Sequence, residues 1–135
     1  MVKIFLSQSS KDIDIINSII NNLKSLSDYY KLLYFLRPYK SDMERVMKNL
    51  SISDLFIVFI TNNSLDSKFV NEELEKAFEL VMTGQIKEIC PILLDNNIDV
   101  NLDSRIPWFI KNNKIYHTKS PVKAAQIAKN FICKY

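Results

Sequence analysis

Asp66-Ser67-Lys68-Phe69-Val70-Asn71-Glu72-Glu73 is the stretch whose residue types and spacing could do chemistry. Residues four apart on a helix share a face, so Phe69 and Glu73 stack together, offset from an apolar stripe of Val70, Leu74 and Ala77. An aromatic plane then lies beside a single carboxylate, one to two turns from a helix start. A plainer account uses the same residues. Helix macrodipoles favour acids in the first turns, and Phe69 would cover the edge of the core. Spacing alone favours that plainer account.

Most other machinery is missing. The only glycine, Gly84, excludes a GxGxxG fingerprint and a P-loop, and with them a phosphate-cradling loop. The only histidine, His117, excludes HExxH and makes a histidine-rich metal site or a catalytic triad a poor reading; it reads as a strand-end residue without a role. Cys90 and Cys133 lie in apolar runs and read as buried free thiols. An aspartyl-phosphate receiver is disfavoured, since Ser7 and Gln8 stand where paired acids would hold magnesium and Asn62 where the acceptor Asp would be. No metal is implied.

The bulk numbers agree with an ordinary globular domain, 1–135, with 47% apolar and 24% charged residues. The net charge of +3 is scattered, with no basic run interleaved with aromatics, so no nucleic-acid partner is expected. No stretch reaches the roughly 18 apolar residues of a membrane span. Val2-Lys3-Ile4-Phe5-Leu6 is too short for a signal-peptide core and reads as a strand, so the expected location is cytoplasmic.

The elements that must position Phe69 and Glu73 follow from periodicity and punctuation. A strand over 2–6 leads to Ser9 and Asp12, a hydroxyl cap with an acid three residues on, then to a helix carrying Ile13, Ile16, Ile19, Ile20, Leu23 and Leu26. A second strand, 31–36, stops at Arg37-Pro38-Tyr39-Lys40, and Ser41-Asp42-Met43-Glu44 is a capping box for a second helix. Residues 55–60 form the most apolar strand and the expected centre of the sheet. The polar loop 61–67 leads to a third helix with Val70, Leu74, Ala77, Phe78 and Val81 on its core face, ended by Gly84 as a left-handed residue. Strands at 88–94 and 115–117 follow, separated by an irregular segment in which Trp108 is expected to be a packing anchor. Asp54 reads as a turn residue. Ser120-Pro121 opens a last helix.

Five strands alternating with helices, without a hairpin signal, predict a three-layer flavodoxin-like α/β sandwich around a parallel sheet of order 2-1-3-4-5. Ligands of such sheets sit beyond the carboxyl ends of the strands, where strand order reverses. That crevice lies between the loops Ser7–Ser10 and Thr61–Ser67.

Four segments then carry a resemblance. Val2 to Asp12 (VKIFLSQSSKD) is similar to the FISYSxxD opening of TIR (Toll/interleukin-1 receptor) domains, and Ser53 to Ser64 (SDLFIVFITNNS) to their central strand. Ser67 to Leu74 (SKFVNEEL) resembles the S-x-W-x-x-x-E-L helix start, and Pro91-Ile92-Leu93-Leu94 the fourth strand. The resemblance covers nearly the whole chain. One branch of the family cleaves NAD+ between nicotinamide and ribose; other members are assembly scaffolds in immune signalling.

Carried over residue by residue, the resemblance makes Glu73 the essential acid and Phe69 the aromatic, a ring where the family has Trp. Ser7, Gln8, Ser9 and Ser10 would line the pocket, with Gln8 in place of the usual aromatic, and Arg37 could meet a phosphate. Neutral nicotinamide needs no general acid to leave, so one carboxylate suffices where an ordinary glycosidase needs two. NAD+ would be substrate rather than cofactor. The implied partners are other TIR domains and a fused or separate sensor or effector, in immune or anti-phage defence. The loop after the second strand, Arg37 to Ser41, is shorter than the family's and lacks its glycine. Two other readings stay open: a non-catalytic scaffold, and a deoxyribosyltransferase-like enzyme that also uses a glutamate at a glycosidic bond.

Overall fold

The structure, a computed structural model, describes residues 1–24, 29–34 and 43–135. Strand β1 (Val2–Ser7) runs into a 3-10 turn (Ser10–Asp12) and helix α1 (Ile13–Leu23). Strand β2 (Tyr30–Leu33), helix α2 (Met43–Ser51) and strand β3 (Leu55–Ile60) follow. A single-turn helix α3 (Asn62–Leu65) precedes the long helix α4 (Lys68–Met82), then come β4 (Glu88–Leu93), single-turn α5 (Trp108–Lys111), β5 (Tyr116–His117) and α6 (Pro121–Ile132).

All strand pairs are parallel and the sheet order is β2-β1-β3-β4-β5, as the alternation of elements predicts. All six residues of β3 are buried, the state of a strand covered on both faces. Alternation along the strands separates two cores. Ile4, Leu6, Ile57, Phe59 and Ile92 face α1 and α6, where Ala124, Ala125 and Ala128 pack with Ile16, Ile19 and Ile20. Phe5, Phe56, Val58 and Ile60 face α2 and α4, meeting Val46, Leu50, Val70, Leu74 and Ala77. Phe5 and Phe56 stack across β1 and β3 with centroids 5.7 Å apart, a pair worth about 1 kcal/mol beyond its buried area.

Local chemistry accounts for most boundaries. Ser67 accepts the Val70 N–H at 3.3 Å and Ser120 accepts the Lys123 N–H at 3.2 Å, each opening a helix. Gly84, at φ +86°, ends α4 and donates to the Val81 carbonyl at 3.1 Å. Asp54 does more than turn the chain: its carboxylate accepts the Lys3 N–H at 2.9 Å and its own N–H donates to the Lys3 carbonyl at 2.8 Å, locking the entry of β3 to β1.

Several expectations need correction. The polar loop 61–67 contains α3, because Thr61 and Ser64 form a reciprocal capping box. Asp12 does not close a box on Ser9; Ser9 accepts the Lys11 N–H at 3.2 Å instead. Trp108 is 64% exposed rather than an anchor, because Phe109 and Ile110 fill the core side of α5 and leave it edge-on over Phe78. Cys90 is buried, and the low-dielectric surroundings push its thiol up to about 12, whereas Cys133 is exposed at the end of α6. Arg37, the end of the second predicted strand and the Ser41-Asp42 half of the predicted box lie outside the described residues. Among the described residues no helix is long and apolar enough to cross a membrane.

Candidate functional site

Polar side chains are scarce in the interior, and most of them gather at one end of the sheet. Ser7 ends β1 and Gln8 and Ser9 follow it, Thr61 and Ser64 follow β3, and Glu73 reaches the same end from α4; all are buried. This is the crevice expected between the β1 and β3 loops.

Glu73 is carried inward by helix phase. Its positions relative to Val70, Leu74 and Ala77 place it on the buried stripe of α4 rather than beside it. Ser7 is the last residue of β1, in register with Val58. Its side chain follows Phe5 by two residues and so points to the α4 side of the sheet. There its hydroxyl donates to Glu73 Oε1 at 2.7 Å. Among the described residues no buried side-chain oxygen or nitrogen lacks a partner. Oε1 is the oxygen that Ser7 holds, and Oε2 is the oxygen this bond leaves over.

Burial dominates the electrostatics of this acid. Removal from water pushes Glu73 up to about 7; the Ser7 hydrogen bond pulls it down, and the neighbouring Glu72 charge pushes it further up. An acid placed merely to complement a helix macrodipole would lie in solvent at an ordinary pKa. Glu73 does neither, and a carboxylate buried with one hydrogen bond is a cost to the fold. The plainer account of the acid fails on this point. For Phe69 it remains adequate: the ring is half-buried one turn before Glu73, on the same helix face.

The other expected site residues divide. Gln8 and Ser9 are buried, and Ser9 spends its oxygen on the turn after β1. Ser10 is half-buried at the first position of that turn. Ser7, expected on the pocket wall, is fully enclosed with its hydroxyl committed to Glu73. His117 stands on β5 at the opposite edge of the sheet from β2, on an open groove with Asn96, Lys111 and Asn113. No three His, Cys, Asp or Glu side chains converge as metal ligands among the described residues.

Two ties that frame the crevice escape a linear reading. Asp12 accepts from the Thr61 hydroxyl at 2.5 Å and from Asn63 Nδ2 at 2.8 Å, joining the turn after β1 to the loop after β3. Arg105 donates to Asp66 at 2.9 Å, Asp103 at 2.7 Å and Asn62 at 2.7 Å, fastening the segment after β4 to α3. The side-chain and backbone N–H groups of Arg105 that donate to Asp103 hold its carboxyl down to about 2. The only sequence signal for either tie is Asp12 itself, the acid that ends the FISYSxxD-like opening.

A parallel sheet of this order, with a buried acid at its switch point, defines a flavodoxin-like α/β domain. Residues 4–120 match the family model described as TIR domain, and the chain belongs to that family. The fold agrees with the crystal structure of the TIR domain of the Toll-related receptor TRR-2 from Hydra magnipapillata. The TM-score is 0.68 at 14% identity, over 97% of this chain and 95% of that one. No curated protein matches the chain in sequence.

Proposed function

We propose that this TIR domain is an NAD+ glycohydrolase that breaks the bond between nicotinamide and ribose. The observation that carries the reading is Glu73: a buried carboxyl at the switch point with one oxygen tied to Ser7. Nicotinamide leaves with the bonding electrons as a neutral pyridine, so no proton need be supplied. Ionised Glu73 stabilises the oxocarbenium charge that develops on the ribose, or holds the ribose hydroxyls, in a site where few water molecules screen it. Phe69 offers a ring face beside it. Attack by water yields ADP-ribose; attack by an adenine nitrogen yields a cyclic isomer. The partners in this reading are NAD+ and other copies of the domain, in cytoplasmic immune or anti-phage signalling with a fused or separate sensor or effector.

A scaffold that acts by self-association is the second reading. It is favoured by the exposed apolar edge of Met82 and Trp108, which flanks a groove lined by Phe78, Val81 and Phe109. Glu73 separates the two readings, because a scaffold has no use for a buried acid.

The experiment measures nicotinamide release from NAD+ by the wild type, Glu73→Gln and Glu73→Ala, at high protein concentration with a crowding agent. The wild type should turn over and both variants should fall to background while still unfolding cooperatively. Wild-type rates in either variant would remove Glu73 from the mechanism.

A further inference from the structure

The face of β1 that meets α4 is apolar at Phe5 and becomes polar at Ser7, although Ser7 is fully enclosed. A small apolar residue would fill that place equally well, so the hydroxyl calls for an account beyond packing. Its only proton goes to Glu73 Oε1, at 2.7 Å and across 66 residues of sequence. The two partners differ in freedom. Ser7 is held in the β1–β3 ladder opposite Val58, whereas Glu73 carries its carboxyl on a chain with three rotatable bonds.

We propose that Ser7 is a positioning residue for NAD+ cleavage, its hydroxyl fixing Oε1 of Glu73 so that Oε2 is presented to the ribose. This rests on Glu73 as the acid of the reaction. Without the hydroxyl the carboxyl samples other rotamers and loses the one hydrogen bond that favours its charged form. Both losses fall on the transition state more than on NAD+ binding. Ser7 does not touch the substrate and carries no charge of its own in the reaction.

The test compares kcat, KM and the pH profile of nicotinamide release for wild type, Ser7→Ala and Ser7→Thr, alongside Glu73→Gln. The carboxyl titration of Glu73 is read separately by carbon-13 NMR. Ser7→Ala should lower kcat about tenfold at pH 7 with KM little changed, and should raise the half-activity pH by about one unit, the shift that loss of one hydrogen bond to a carboxylate produces. Ser7→Thr, which keeps the hydroxyl, should restore the profile. The NMR midpoint of Glu73 in Ser7→Ala should rise with the kinetic one. Should Glu73→Gln abolish turnover while Ser7→Ala keeps both midpoints where the wild type has them, the positioning role is overturned and the catalytic acid stands. Turnover retained in Glu73→Gln overturns both.

Discussion

Asp12, in the turn after β1, accepts the hydroxyl proton of Thr61 at the end of β3 over 2.5 Å, although 49 residues separate them in the chain. The same carboxylate takes Nδ2 of Asn63 with its other oxygen. One acid therefore holds together the two loops whose divergence forms the crevice. Asp12→Ala leaves the partly buried Thr61 hydroxyl without this acceptor and should cost about 1–3 kcal/mol. Urea unfolding checks it; an unchanged midpoint would show that the tie does nothing for the fold.

Glu73 should trade stability for function. Its folded pKa of about 7 lies above the ordinary 4.5, so between those values the folded state keeps a proton that the unfolded state has released. Stability from this group is greatest below the lower value and is lost as pH rises through about 7. Glu73→Gln cannot ionise, so its stability relative to wild type should improve from pH 4 to pH 8 by about 3 kcal/mol at most. Denaturant melts of both proteins at the two pH values measure the difference. A gap that does not change with pH would contradict the buried-acid account.

Nicotinamide release should rise with pH through about 7 as Glu73 ionises, then level off. A profile that declines over the same range would mean that the acid works in its protonated form.

Arg105 acts locally. Its bonds to Asp66, Asp103 and Asn62 join the segment after β4 to α3, but Arg105 and Asp66 are open to water, where screening weakens ion pairs. Arg105→Ala should leave the global unfolding midpoint nearly unchanged while speeding amide exchange in residues 95–107. Unaltered exchange there would show that Phe109 and Ile110, packed under the segment, hold it unaided.

Gly84 tests the backbone alone. A methyl group placed on it meets nothing within 4 Å, so any penalty of Gly84→Ala comes from φ +86° and not from a clash. Thermal unfolding should show a loss of about 1 kcal/mol. No loss would mean that the end of α4 relaxes to a negative φ.

What the chain announces locally, it announces well. The apolar run Leu55–Ile60, the Ser67 and Ser120 caps and Gly84 each depend on neighbours within about four residues, so the central strand, the starts of α4 and α6 and the parallel order are legible without coordinates. The Phe69/Glu73 spacing was legible for the same reason. Whether Glu73 faced water or the interior was not, because a helix edge position turns inward or outward according to how α4 sits on β3 and β1. The same limit hid the Ser7–Glu73 bond, the Asp12 tie, the Arg105 cluster, the exposure of Trp108 and the difference between Cys90 and Cys133. Each is set by the relative placement of segments that crossovers bring together from far apart, and no local pattern encodes that placement.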